Sequence, residues 1–222
     1  MKTIVYVDGY NLYYGLLRRS AFKWLDLYCL FQEHALGPDA DVVEVRYYTA
    51  PVLGRMSDDP ESSQRQRTYQ QALRKMPPNK VTIIEGKIMA ETPVLRLVSP
   101  LPECLGLTCV KVHNFTEKKT DVNLAADLIT GAWTRAYEQA VICSNDTDLE
   151  GALRVVKENC PAVRLGLVAP IPNNDSRKIA ADLKKYADWS KVLSTVHIEH
   201  SQLPEKIPGT ALWRPECWKC GC

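Results

Sequence analysis

Short apolar runs alternate with longer amphipathic stretches along most of the chain. Six runs read as β-strands: Thr3–Val7, Val42–Thr49, Val81–Lys87, Cys109–Val112, Ala140–Cys143 and Val163–Val168. Four of them are almost wholly apolar, as strands covered on both faces should be. Val42–Thr49 and Val81–Lys87 carry charges, which places them nearer an edge. Helical periodicity appears between the runs, over Leu12–Arg19, Gln64–Lys75, Asp121–Tyr137, Asp148–Glu158 and Ser176–Tyr186. The second of these stops at Pro77-Pro78, where a helix cannot continue. The alternation predicts an α/β domain, a mostly parallel sheet with helices on both faces. Gly54–Pro60 and Ser99–Gly106 read as loops. From Leu203 to Cys222 the chain is proline-rich and aperiodic, an extended wrap or a loose end. One domain over residues 1–200 and a tail over 201–222 follow from this.

Composition narrows the class. The 222 residues are 45% hydrophobic and 24% charged, which suits a globular domain able to bury a large core. The net charge of +2 does not by itself indicate a nucleic-acid partner; any basic surface must be local. The opening MKTIVYVDGYNL is interrupted too early by Asp8 and Asn11 to be a secretory leader. No run reaches the roughly 18 apolar residues of a membrane span. A cytoplasmic location is expected, with no membrane partner. Of eight cysteines, Cys29, Cys104, Cys109, Cys143 and Cys160 read as reduced core thiols. Cys217, Cys220 and Cys222 form a partial zinc pattern, whose fourth ligand would come from His197, His200 or another chain.

Aspartates stand where strands end and helices begin. Asp8 closes the first apolar run, followed by the permissive Gly9. It either caps the next helix or faces the crevice at the carboxyl end of the sheet. Asp146 and Asp148 crowd one strand-to-helix turn beside Ser144 and Asn145, more carboxylate than capping requires. Close carboxylates repel unless a cation neutralises them, and hard oxygen ligands suit Mg²⁺ or Mn²⁺. On a helical wheel Asp121 falls within the apolar arc of Leu124, Ala125, Leu128, Ile129, Ala132 and Trp133. Asp127 falls on the polar face, where a solvated surface role is the simpler reading.

Three blocks, VDGYNL, EKKTDVNLAADLI and ICSNDTDLEGAL, resemble the signature blocks of NYN domains in the PIN-like ribonuclease superfamily, with the LabA/DUF88-like bacterial group the most similar. The late segment LPEKIPGTALWRPECW also resembles the close of such chains. The resemblance implies a Rossmann-like (PIN-like) sheet, a divalent-metal site and RNA as substrate. It places Asp8, Asp121, Asp146 and Asp148 at catalytic and metal-binding positions, and Asn11 and Ser144 in support. Asp127 matches a recurrent acidic position, against its helix-face reading. Lys119-Thr120 stands where related sequences often carry glycine next to a lysine, and Asn145-Asp146 where many have Gly-Asp.

Tyr13, Tyr14, Arg18, Arg19, Arg65, Arg67, Tyr69, Arg74, Lys75, Lys118 and Lys119 are candidates for holding phosphates or stacking bases, although a solvated helix face explains most of them singly. Lys118 and Lys119 stand out, because they adjoin Asp121. The leading expectation is a ribonuclease using Mg²⁺ or Mn²⁺ on single-stranded RNA, cutting within the chain, with a homo-oligomer allowed. A non-catalytic module binding RNA or protein is the alternative. A phosphatase or a DNA nuclease is a third reading.

Overall fold

The computed structural model describes residues 1–52, 59–99, 106–172 and 176–219. Its centre is a six-stranded, wholly parallel sheet in the order β10-β9-β8-β1-β2-β3. The strands are β1 (Lys2–Asp8), β2 (Asp41–Thr49), β3 (Val81–Glu85), β8 (Gln139–Cys143), β9 (Arg164–Ala169) and β10 (Trp189–Val192). Alternate side chains of a strand point to opposite faces. Val5 and Val7 of β1 therefore pack into one core and Ile4 and Tyr6 into another. Both cores are dense with fully buried residues, so β1 is covered on each side as its composition requires.

Helix α1 (Gly9–Leu12) leaves β1 and widens into a π-helical stretch over Tyr13–Leu17. On the face of Val5 and Val7 also lie α2 (Leu27–Cys29, continuing as a π-helix over Leu30–Ala35), α3 (Ser62–Lys75) and α7 (Thr195–His200). The other face is covered by α4 (Thr120–Trp133), α5 (Glu150–Asn159) and α6 (Ala181–Lys184). The chain between Leu203 and Lys219 crosses back over the first of these cores, where Leu203 and Ile207 are buried and the Trp24 indole N–H donates to the Pro204 carbonyl (2.8 Å).

Between β3 and α4 the chain builds an antiparallel arm. In it β4 (Lys87–Glu91) pairs with β7 (Asn114–Lys118), and β5 (Val94–Arg96) with β6 (Cys109–Lys111). The run Cys109–Val112 thus belongs to this arm and not to the central sheet. Its apolar content is misleading, because Val94, Leu95, Val98 and Phe115 of the same arm are all exposed. The charged β3 is an edge strand, whereas β2 lies inside the sheet. Helix α4 stops at Trp133, four residues before Tyr137, and Trp133 is exposed instead of lying in the apolar arc. Most of Gly54–Pro60 and Ser99–Gly106 lies outside the described residues, as do Cys104, Cys220 and Cys222. Cys143 is a buried free thiol, but Cys109 is exposed. Among the described residues no helix is long and apolar enough to cross a membrane.

Candidate functional site

Strand β1 is flanked by β2 on one side and β8 on the other, so successive connections leave it in opposite directions. A crevice opens at the carboxyl ends of such a strand pair. Asp8 ends β1 there, 4% exposed. Its Oδ1 accepts the Asn11 backbone N–H (2.9 Å) and its Oδ2 accepts the Ser144 hydroxyl (2.8 Å). Asp8 therefore does cap α1, and it also joins the end of β1 to the end of β8. Gly9 is required by space: a Cβ there would stand 2.5 Å from the Tyr48 carbonyl oxygen on β2.

Ser144 and Asn11 complete the junction. The Ser144 hydroxyl oxygen accepts the Asp146 N–H (3.0 Å), and Asn11 Oδ1 accepts the Asn145 N–H (3.0 Å). Asp146 Oδ1 in turn accepts the Asp148 N–H (3.0 Å), capping a single 3₁₀ turn over Thr147–Leu149. Asn145 has a structural task that its sequence position does not announce. Its side chain accepts the Ala180 N–H (2.8 Å) and donates to the Lys178 carbonyl (3.3 Å). Residues 176–180 form no helix there, and only Ala181–Lys184 of the expected Ser176–Tyr186 helix forms.

Asp121 enters from the first turn of α4. A cleft of about 290 Å³ is lined by Asp8, Asn11, Asp121 and Asp146, together with Tyr10, Tyr14, Glu117 and Thr120. Burial first, and then the charges of Asp8, Glu117, Asp146 and Asp148, push the Asp121 carboxyl up to about 6. Burial likewise raises Asp8, while the hydrogen bonds from Asn11 and Ser144 lower it and Asp146 raises it further. Asp148 is exposed and does not line the cleft, although its charge is felt at Asp121.

Glu117 is an acidic neighbour that sequence reasoning missed. Its Oε1 accepts both the backbone N–H (3.0 Å) and the hydroxyl of Thr120, fixing the start of α4. Glu-x-x-Thr ahead of an apolar helix was the available signal. Lys119, between them, is exposed and adopts a left-handed backbone, φ 80° and ψ −15°.

Asp127 is held apart from this group. Its Oδ2 accepts the Tyr48 hydroxyl (2.8 Å) and lies 3.7 Å from the Arg46 guanidinium. It is neither a freely solvated surface acid nor part of the cleft lining. Of the proposed RNA contacts, Tyr14 lines the cleft, and Tyr13, Arg18, Arg65 and Tyr69 line an adjoining cavity. Arg74 pairs with Glu85 (3.5 Å); Arg19, Arg67, Lys75 and Lys118 are exposed.

Among the described residues no group of three or more His, Cys, Asp or Glu side chains could hold a metal ion as it stands. Both Asp8 oxygens and one Asp146 oxygen already accept hydrogen bonds, from Asn11, Ser144 and Asp148. The donor set is nonetheless entirely oxygen and mutually repelling. Mg²⁺ keeps most of its water and takes one or two carboxylates, which this cleft supplies without a closed cage.

The sequence profile of the NYN domain matches residues 2–193. A relative named 6-hydroxy-3-succinoylpyridine 3-monooxygenase HspA, from Pseudomonas putida (strain DSM 28022 / S16), is 33% identical over 241 residues, spanning 98% of this chain and 75% of that protein. A solved structure, a protein of unknown function VPA0982 from Vibrio parahaemolyticus RIMD 2210633, superposes with a TM-score of 0.51 at 17% identity, covering 87% of this chain and 93% of that one. At that identity the likeness concerns the fold.

Proposed function

The chain belongs to the NYN domain family, and on that footing we propose that it is a divalent-metal-dependent ribonuclease that hydrolyses phosphodiester bonds within single-stranded RNA. The observation that carries this reading is the meeting of Asp8, Asp121 and Asp146 at one cleft from three separate segments. A bound Mg²⁺ or Mn²⁺ supplies Lewis acidity toward water and toward phosphate oxygens. Asp8, Asp121 and Asp146 would hold the cation. Asp148, outside the cleft lining but with its charge felt at Asp121, would orient the attacking water. Asn11 and Ser144 keep the Asp8 and Asp146 loops in register. In the reaction, the water oxygen bonds to phosphorus, the ester P–O bond breaks, and a proton reaches the departing sugar oxygen.

The test is incubation of the purified protein with end-labelled single-stranded RNA and DNA, in Mg²⁺, Mn²⁺ or EDTA. Internal cuts in RNA that vanish with EDTA and with Asp146→Asn support the reading. RNA that is bound yet left intact under every metal condition would favour the non-catalytic module.

A second reading has its own support, the identity of 33% over 98% of this chain with a protein named as a pyridine monooxygenase. On that reading the substrate is 6-hydroxy-3-succinoylpyridine. Supplying it with dioxygen and a two-electron reductant, and following its consumption, decides the matter. No consumption, alongside metal-dependent RNA cleavage, removes this second reading.

A further inference from the structure

Beside the acidic cleft, and sharing Tyr10 and Tyr14 with it as a common wall, lies a larger cavity of about 440 Å³. That volume falls within the roughly 300–1,000 Å³ of sites for small organic ligands. Its far wall is a run of rings braced edge to face. Tyr47 meets Tyr69 at 82° and 6.4 Å, and Tyr69 meets Trp218 at 74° and 6.1 Å. Trp218 comes from the end of the chain, so the cavity is closed by a segment remote in sequence from the rest of its walls.

Three cations line the same space. The Arg18 guanidinium lies 5.3 Å from the Tyr14 ring centroid, at the side where cavity and cleft meet. Lys23 is only 5% exposed, and Arg65 is held by Asp59 and Glu61. The wall also contains a buried hydroxyl, Ser62 Oγ, with no hydrogen-bond partner among the described residues. A buried polar atom left unpaired is costly, and a rotation about the Ser62 Cα–Cβ bond would offer this one to a ligand in the adjoining cavity.

Asp59 lines the cavity too and already pairs with Arg65, so it is the exposed Arg18 guanidinium that selects an anion, while aromatic faces select a planar ring and the hydroxyl selects a ring with a polar edge. A bare phosphate needs no aromatic wall, and an apolar ring needs no cation. We propose that this cavity receives one base of the bound strand, with its phosphate passing Arg18 toward the acidic cleft. The source of the ligand rests on the ribonuclease reading. The recognition itself does not: base stacking tolerates any base, while the Ser62 hydroxyl gives a preference among them.

The experiment is calorimetric titration of the full chain with AMP, GMP, CMP and UMP in EDTA, with nicotinate as a ring-bearing acid of another kind. At least one nucleotide is expected to bind. Its affinity should fall about tenfold or more in Tyr13→Ala and in Arg18→Ala, both exposed positions whose loss leaves the core intact. Ser62→Ala should change the ranking of the four nucleotides. The proposal is overturned by wild type that binds none of them, by equal affinity in both variants and wild type, or by nicotinate binding more tightly than every nucleotide. The same preparations are assayed on labelled RNA. Nucleotide binding with uncut RNA removes the ribonuclease reading and leaves the pocket. Cut RNA with no nucleotide binding removes the pocket and leaves the ribonuclease.

Discussion

Asp121 carries the tension of the cleft. Its carboxyl titrates near 6 in the fold, against 3.8 without the fold's influence, because burial and four neighbouring acids oppose its charge. The folded protein therefore holds this proton more tightly than the unfolded chain does. The sign follows: below pH 4 the residue carries no penalty, and stability is lost as pH climbs through about 6. In EDTA, Asp121→Asn should melt at a higher temperature than wild type at pH 7.5, and that advantage should shrink at pH 5.0. The same variant should lose RNA cleavage by a hundredfold or more, on the order expected when a group stabilising transition-state charge is removed. A lower melting temperature at pH 7.5 would contradict the crowding described here. Millimolar Mg²⁺ or Mn²⁺ should raise the melting temperature of wild type, less so in Asp8→Asn and Asp121→Asn. Asp127 is a contrasting case. Asp127→Ala leaves the Tyr48 hydroxyl without its acceptor and should cost about 1 kcal/mol in denaturant titrations, with the metal response kept. Asp8, Asp121 and Asp146 could be placed from sequence because each falls at a strand end or helix start. The setting of Asp127 could not, since its partner Tyr48 is 79 residues away on another element.

At the scale of elements, two backbone positions set the cleft's shape. Lys119 precedes Asp121 in a left-handed conformation that favours glycine. This gives a physical reason for the glycine that the resemblance to NYN domains implies next to a lysine at this point. Lys119→Gly should stabilise the protein by up to about 1 kcal/mol, read from urea unfolding; a loss of similar size would mean that the lysine side chain has a contact outweighing its strain. Gly9→Ala should cost about 1–3 kcal/mol, because the new methyl meets the Tyr48 carbonyl and the Tyr47 ring. The sheet and its larger helices were legible from periodicity, since burial on both faces leaves an unbroken apolar record. The arm was not, because exposed strands keep no such record and Cys109–Val112 imitates a core strand. The wide turns after α1 and α2 leave no periodic mark either.

For the molecule as a whole, the end of the chain acts as a brace. Leu203 and Ile207 sit in the core and Trp218 closes the larger cavity. Removing residues 203–222 should cost about 3–6 kcal/mol from those two buried side chains alone, at about 1.5–3 kcal/mol each, measurable by thermal or denaturant unfolding. A truncated chain as stable as the full one would show that the segment is dispensable. The hydrogen bond joining Asp8 to Ser144 spans 136 residues. This has a consequence for synthesis. Strand β1 is made before the other strands, yet its partner β8 is made only after the arm and α4. Contacts so distant in sequence are slow to form, because the chain must first close the intervening loop. A nascent chain that ends before Asp148 holds Asp8 and Asp121 without the turn that completes their cleft. On the ribonuclease reading, a nascent chain has no completed cleft to turn on its own message until synthesis has passed Asp148.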